Sequence, residues 1–141
     1  MQLDVVLCDY AQVSGDKLFV SGGGIGRMYV PDGPGPHVVT FAVAGTLTVP
    51  PSQAGNGHVL ELRLETEDDE PAPLAGDAAG ITVGGEMRLD AGNIPAIDDQ
   101  TLPFAFNFQA VPLAHTGGFE MVCLIDGEEA RRLFFRVESV V

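Results

Sequence analysis

Tryptophan is absent from this 141-residue chain, lysine occurs once, cysteine occurs twice, and no long uninterrupted apolar run is present. Each shortage excludes something. A helix that crosses a bilayer needs about 18 or more consecutive apolar residues, and none is available. Seven cations against twenty carboxylates leave a net charge of −13, which cannot neutralise a phosphate backbone. Nucleic acid is therefore excluded as a partner, and an anionic membrane surface with it. Excess acid of this kind serves solubility. Cys8 and Cys123 each sit in a strand-like apolar run. Two cysteines make neither a disulfide framework nor a zinc site, so both are read as buried, reduced thiols. The opening Met1-Gln2-Leu3-Asp4 has no basic region and does not read as a secretory signal. A cytoplasmic location is the expectation.

Also missing is any stretch of helical period. What is present is a period of two almost throughout, the mark of strands that are half in and half out of a core. Candidate strands are 3–12, 17–30, 37–49, 58–66, 82–90, 103–111, 118–125 and 129–138. The first carries apolar residues on both faces and is expected to lie centrally. In the fourth, Leu60, Leu62 and Leu64 point in, while Glu61, Arg63 and Glu65 point out. In the sixth, Phe104, Phe106 and Phe108 form an inward stripe. Gly84-Gly85 is read as a bulge in the fifth. The reading is all-β: one domain over residues 1–141, an antiparallel β-sandwich of about eight strands, with a closed antiparallel barrel as the alternative.

Parity constrains the last hairpin. A two-residue loop at Asp126-Gly127 would set Met121 opposite Arg132. A three-residue loop through Glu128, or an equivalent bulge, sets Met121 opposite Leu133 and Phe119 opposite Phe135. A one-residue slip turns every side chain to the wrong face, so the second arrangement is expected. Strict alternation also sorts the loops. One end of the sandwich should hold 13–16, 50–57, 91–102 and 126–128; the other should hold 31–36, 67–81 and 112–117.

The stretch from Asp9 to Gly26 breaks the pattern. A Ser14-Gly15-Asp16 turn leads into a strand interrupted at Gly22, Gly23, Gly24 and Gly26. It lacks the Lys-Ser/Thr ending of a phosphate loop, and Arg27 stands where a dinucleotide fingerprint needs its third glycine. A bulge or sharp bend is the plain reading; a bare surface for a ligand or partner strand is the functional one.

Candidate sites are few. Asp16, Asp98, Asp99 and Asp126, with Asp90 nearby, would gather at one end as calcium modules gather oxygen ligands, although solvated loop acids are the plainer explanation. His37 and His115 share an end away from His58, so three histidines do not assemble. His37 and His115 with Asp77 or the acids at 67–70 remain a two-histidine candidate. No nucleophile elbow occurs, and Glu61, Glu65, Glu86 and Glu120 fall on outward faces, where paired-carboxylate chemistry cannot run. No enzyme and no cofactor are expected.

Leu7-Cys8-Asp9-Tyr10-Ala11, Gly15-Asp16-Lys17-Leu18 and Gly22-Gly23-Gly24 resemble the N-terminal signature of a family of small uncharacterised bacterial proteins, a domain of unknown function. The resemblance covers about the first 30 residues, the later strands being similar only in pattern. It implies no activity. It implies structural roles for the turn residues and for Asp9, which would serve backbone donors beside the bulge; an inward Asp9 would need a partner, with Arg27 the candidate. Asp9, Gly22, Gly23, Gly24, Gly26 and Arg27 are thus the structural or interface positions. The expected function is a non-catalytic binding or assembly module that works through a sheet face or edge strand. Its expected partner is protein, as a homo-oligomer. Tyr29, Phe134 and Val122 are apolar residues in excess of one core's needs, and such excess commonly marks an interface. The alternative is a calcium- or small-ligand-binding module at the acidic loop end.

Overall fold

The alternating runs at residues 37–49 and 58–66 fall one in each of the two layers of the molecule. The computed structural model describes residues 1–53, 55–76, 78, 80–88 and 97–141. Among these residues the strands are Gln2–Ser14 (β1), Lys17–Gly23 (β2), Arg27–Pro31 (β3), His37–Val49 (β4), His58–Thr66 (β5), Ile81–Met87 (β6), Gln100–Leu113 (β7), Gly117–Ile125 (β8) and Glu128–Val140 (β9). The one helical turn among them, Pro51–Gln53, is a short 3-10 turn. Asp77, Asp90 and residues 91–96 of the expected loop 91–102 lie outside the described residues.

The strands form a four-stranded sheet in the order β2-β1-β4-β7 and a five-stranded sheet in the order β3-β9-β8-β5-β6. The architecture is the β-sandwich expected from the two-residue period, made of two separate sheets. All pairings are antiparallel except that of β3 with β9, which is parallel.

The core lies between the layers, where Phe41, Val43, Leu47, Leu60, Leu62, Leu64, Phe119, Met121 and Phe135 are buried. A run of rings ties the sheets together. Phe41 of β4 stacks on Phe108 of β7 at 5.1 Å, meets Phe135 of β9 at 5.6 Å, and Phe135 stacks on Phe119 of β8 at 5.8 Å. Each buried ring contributes about 1.5–3 kcal/mol by leaving water, and ring pairs at these distances add to that.

The last hairpin keeps its parity by the bulge. Met121 opposes Leu133 and Phe119 opposes Phe135, while Ile125 opposes Glu128 across a tight turn. Asp126 and Gly127 both have positive φ, 52° and 84°, the signature of a two-residue hairpin turn whose twist matches the strands. The extra residue falls at the register shift after Cys123.

Three expectations change. Residues 17–30 are not one interrupted strand but two, in different sheets. The chain reverses at the glycines: Gly24 N and Ile25 N both donate to Leu7 O, at 2.9 and 3.1 Å, and Arg136 N donates to Gly26 O at 3.0 Å. This uncounted reversal moves the 13–16 turn to the end that holds 31–36 and 114–116, away from 50–57 and Asp126. Gly84 and Gly85 pair regularly with Glu61 and Leu60 and form no bulge. Val122, counted as surplus, is buried at 3% exposure, because its cross-strand neighbours are Arg63 and Arg132 and their stems cover it.

The outer face of the four-stranded sheet is also partly closed. Cys8, Ala11, Ala42 and Ala44 form a second buried cluster. The sheet curls until Asn107 of β7 reaches β1, donating to Ala11 O at 2.8 Å and accepting from Ala11 N at 3.2 Å. Small side chains are what such a tight curl permits.

Candidate interaction edge

The opening hairpin is built by its turn. Ser14 pairs with Lys17, and Gly15 and Asp16 take φ values of 57° and 59°, again a two-residue turn with left-handed residues. From there β2 runs along β1 as the outermost strand of its sheet. Its backbone groups on the far side have no strand partner among the described residues, which makes it a template for another strand.

The side chains on this hairpin are apolar and open. Tyr10 is 50% exposed, Phe19 56% and Val20 41%, with Val13 at 40%. Within β2 the size falls sharply after Val20: Leu18, Phe19 and Val20 are followed by Ser21, Gly22 and Gly23. Gly22 is bare for a local reason. It has a φ of 66°, and a Cβ there would stand 2.1 Å from Asp9 Oδ2. The Asp9 carboxylate therefore lies over the glycine. Asp9 is exposed, and Arg27 pairs instead with Glu138 on β9. Asp9 and Arg27 share only the rim of an open groove of about 340 Å³ with Ile25, Met28, Tyr29 and Val38. Charge is scarce here as well. Residues 10–26 carry Asp16 and Lys17 and no other charged group, within a chain of net charge −13.

The candidate calcium residues do not converge. Asp16 belongs to the turn at one end, and Asp126 to the turn at the other; Asp98 and Asp99 are exposed. Asp126 is engaged. Its Oδ1 accepts from Val59 N at 2.8 Å, and its Oδ2 lies 2.9 Å from Nδ1 of His58. His58, placed by the sequence at the start of a strand and at the end away from His37 and His115, is buried at 6% exposure. Its Nε2 lies 3.2 Å from Gln53 O. Both ring nitrogens face acceptors, an arrangement that only the doubly protonated imidazolium satisfies. The Asp126 hydrogen bond accordingly raises the His58 pKa above its ordinary value, against the opposing effect of burial. The same contact, followed by the Val59 amide, holds Asp126 below the usual carboxylate range. His37 and His115 lie at one end as expected, with the His115 ring stacked on Phe119 at 5.5 Å.

The acids that do converge were read as a solvent face. Glu65, Asp69 and Glu120 place oxygens within 4.8 Å of one another, and Glu120 is buried at 4% exposure. Arg132 occupies their centre, bonding Glu120 and Glu129, with Asp69 at 2.6 Å and Glu65 at 3.9 Å. Partial burial works against its charge, but Glu129, Glu120 and Asp69 hold its pKa above arginine's ordinary value. The signal in the sequence was only the outward parity of Glu65 and Glu120; their being opposite one another needed the strand order. Neither thiol is poised for attack. Burial pushes Cys123 up to about 12 and raises Cys8, whose Sγ contacts Ala42 O at 3.7 Å. No helix among the described residues is long and apolar enough to cross a membrane.

No curated protein matches this chain. Among solved structures, one that is similar is the Pseudomonas fluorescens alkylpurine DNA glycosylase AlkC bound to DNA containing an abasic site analog. The likeness has 11% sequence identity and a TM-score of 0.46, over 95% of this chain and 30% of that one. This chain thus spans less than a third of that protein's length. A family model, described as a family of unknown function (DUF6941), matches residues 3–138, and the chain belongs to that family.

Proposed function

We propose that this chain is a non-catalytic binding or assembly module that associates with itself through the edge strand β2. The observation that carries the reading is the exposure of Tyr10, Phe19 and Val20 on an edge hairpin. Natural edge strands are usually blunted by charge or proline, yet β2 carries only Lys17, at its start. In this reading the Asp9-Tyr10-Ala11, Lys17-Leu18 and Gly22-Gly23-Gly24 hairpin is the family's working element, its turn and glycines shaping the edge. Calcium or small-ligand binding through Asp16, Asp98, Asp99 and Asp126 has less support, because Asp16 stands at the far end and Asp126 already serves His58 and Val59.

Light scattering across a dilution series tests the proposal. The expected result is a mass of twice 14.8 kDa when concentrated, falling toward the single-chain mass on dilution, with Phe19→Glu monomeric throughout. A single-chain mass for the unmodified protein at every concentration would overturn it.

A further inference from the structure

We infer that two copies join their β2 strands antiparallel about a two-fold axis at Val20, merging their four-stranded sheets into one continuous sheet. This rests on the self-association just proposed and adds its partner, direction and register.

The argument is one of size and charge. About an axis at Val20, Leu18 of one copy faces Gly22 of the other, Phe19 faces Ser21, and Val20 faces Val20. The bulky half of β2 thus meets the bare half of its mate twice over. Of the neighbouring two-fold registers, one about Phe19 sets that ring against its own copy, and one about Ser21 sets Phe19 opposite Gly23, whose neighbour on β1 is Cys8 and not Tyr10. Side chains directly opposite share a face. Within one copy, Ser21 is opposite Tyr10 and Phe19 is opposite Gln12. A Phe19 ring lying over Ser21 of the second copy therefore points at Tyr10 of that copy, two strand spacings of about 4.8 Å away. Two such aromatic pairs would cover the two most exposed rings of the hairpin, Tyr10 and Phe19. A two-fold interface is self-complementary by construction, and β2 has the large-then-small order this requires.

Charge singles out the same place. A molecule of net charge −13 repels its copy over most of its surface, but residues 10–26 contain Asp16 and Lys17 alone. The edge is where two copies can approach at the lowest electrostatic cost.

Mild oxidation of the full-length Val20→Cys protein tests the register. Residues opposite one another in an antiparallel pair have Cα atoms about 4.5–5.5 Å apart, within disulfide reach. The native thiols are both buried, and the unmodified protein serves as the blank. Val59→Cys, at a position 50% exposed on the other sheet, is the control. The expected result is a disulfide-linked dimer at least about tenfold more abundant for Val20→Cys than for Val59→Cys. Tyr10→Ala and Phe19→Ala should weaken the dimer by similar factors, and the double variant by less than their product, as expected for residues in contact. A protein that is dimeric by light scattering but shows equal linking at both positions overturns the register and leaves the self-association standing. A protein that is monomeric throughout overturns both.

Discussion

His58 Nδ1 lies 2.9 Å from Asp126 Oδ2, joining the start of β5 to the turn between β8 and β9 by a charged hydrogen bond that is closed on one side and open on the other. Its His58 end is buried and its Asp126 end is 43% exposed. The imidazolium donates its Nδ1–H to that carboxylate and its Nε2–H to the carbonyl of Gln53.

The sign of its pH dependence follows from both shifts. His58 is raised above 6.5 in the fold, so its contribution is full below that value and fades as pH rises through the folded pKa. Asp126 is lowered below 3.8, so its contribution is present above that value and is lost as pH falls through the folded pKa. The pair therefore stabilises most between about pH 4 and 6.5. A melting temperature that declines from pH 6 to pH 8 is expected. Asp126→Asn should flatten that decline, since asparagine suits the turn but carries no charge. A decline of equal size in Asp126→Asn would show that another group is responsible.

Gly22→Ala should cost about 1–3 kcal/mol in urea denaturation, because alanine resists a positive φ and its Cβ would displace Asp9. Gly85→Ala is the contrast. Its φ is ordinary and nothing lies within 4 Å of the added carbon, so a change within about 0.5 kcal/mol is expected.

Phe134 and Phe135 are neighbours in sequence and opposites in burial, at 63% and 2% exposure. Phe135→Ala should lose about 3–5 kcal/mol. Phe134→Ala should stay within about 0.5 kcal/mol. Equal losses would mean that the register of β9 is wrong.

Arg132→Met should lower the denaturation midpoint, because it leaves Glu65, Asp69 and Glu120 crowded without their cation. Raising the ionic strength should recover part of the loss by screening the like charges. A variant as stable as the parent at low salt would show that the guanidinium does not bind this group together.

The features that were legible in the sequence are those set by local alternation. Leu60, Leu62 and Leu64 face the core, and the bulged register that sets Phe119 against Phe135 follows from the faces of two adjacent strands. The features that were not legible depend on which strands become neighbours. Gly22 through Gly26 read as a bend within one strand, because nothing local distinguishes a bend from a reversal into the opposite sheet. Recovering Leu7 and Arg136 as the hydrogen-bond partners of that turn needed the three-dimensional arrangement. One missed reversal then placed Asp16 at the wrong end and assembled a carboxylate group that the fold does not make. Glu120 was missed for the same reason: its outward parity was right, but Arg132 reaches across from β9 and bonds it. The surplus of Tyr29 and Phe134 was read correctly, at 61% and 63% exposure.

The parallel ladder between β3 and β9 joins segments far apart in the chain; its Arg27–Glu138 pair is separated by 111 positions. Closing a loop of that size is entropically costly before any contact repays it. During synthesis the emerging β3 must wait, its mate still unmade, until residues 136–140 have left the ribosome. In the interval the hairpin beside it is already complete, with an open edge and little charge to keep a neighbour away. The strand that suits the finished molecule for pairing is thus also the one that a half-made chain most needs shielded.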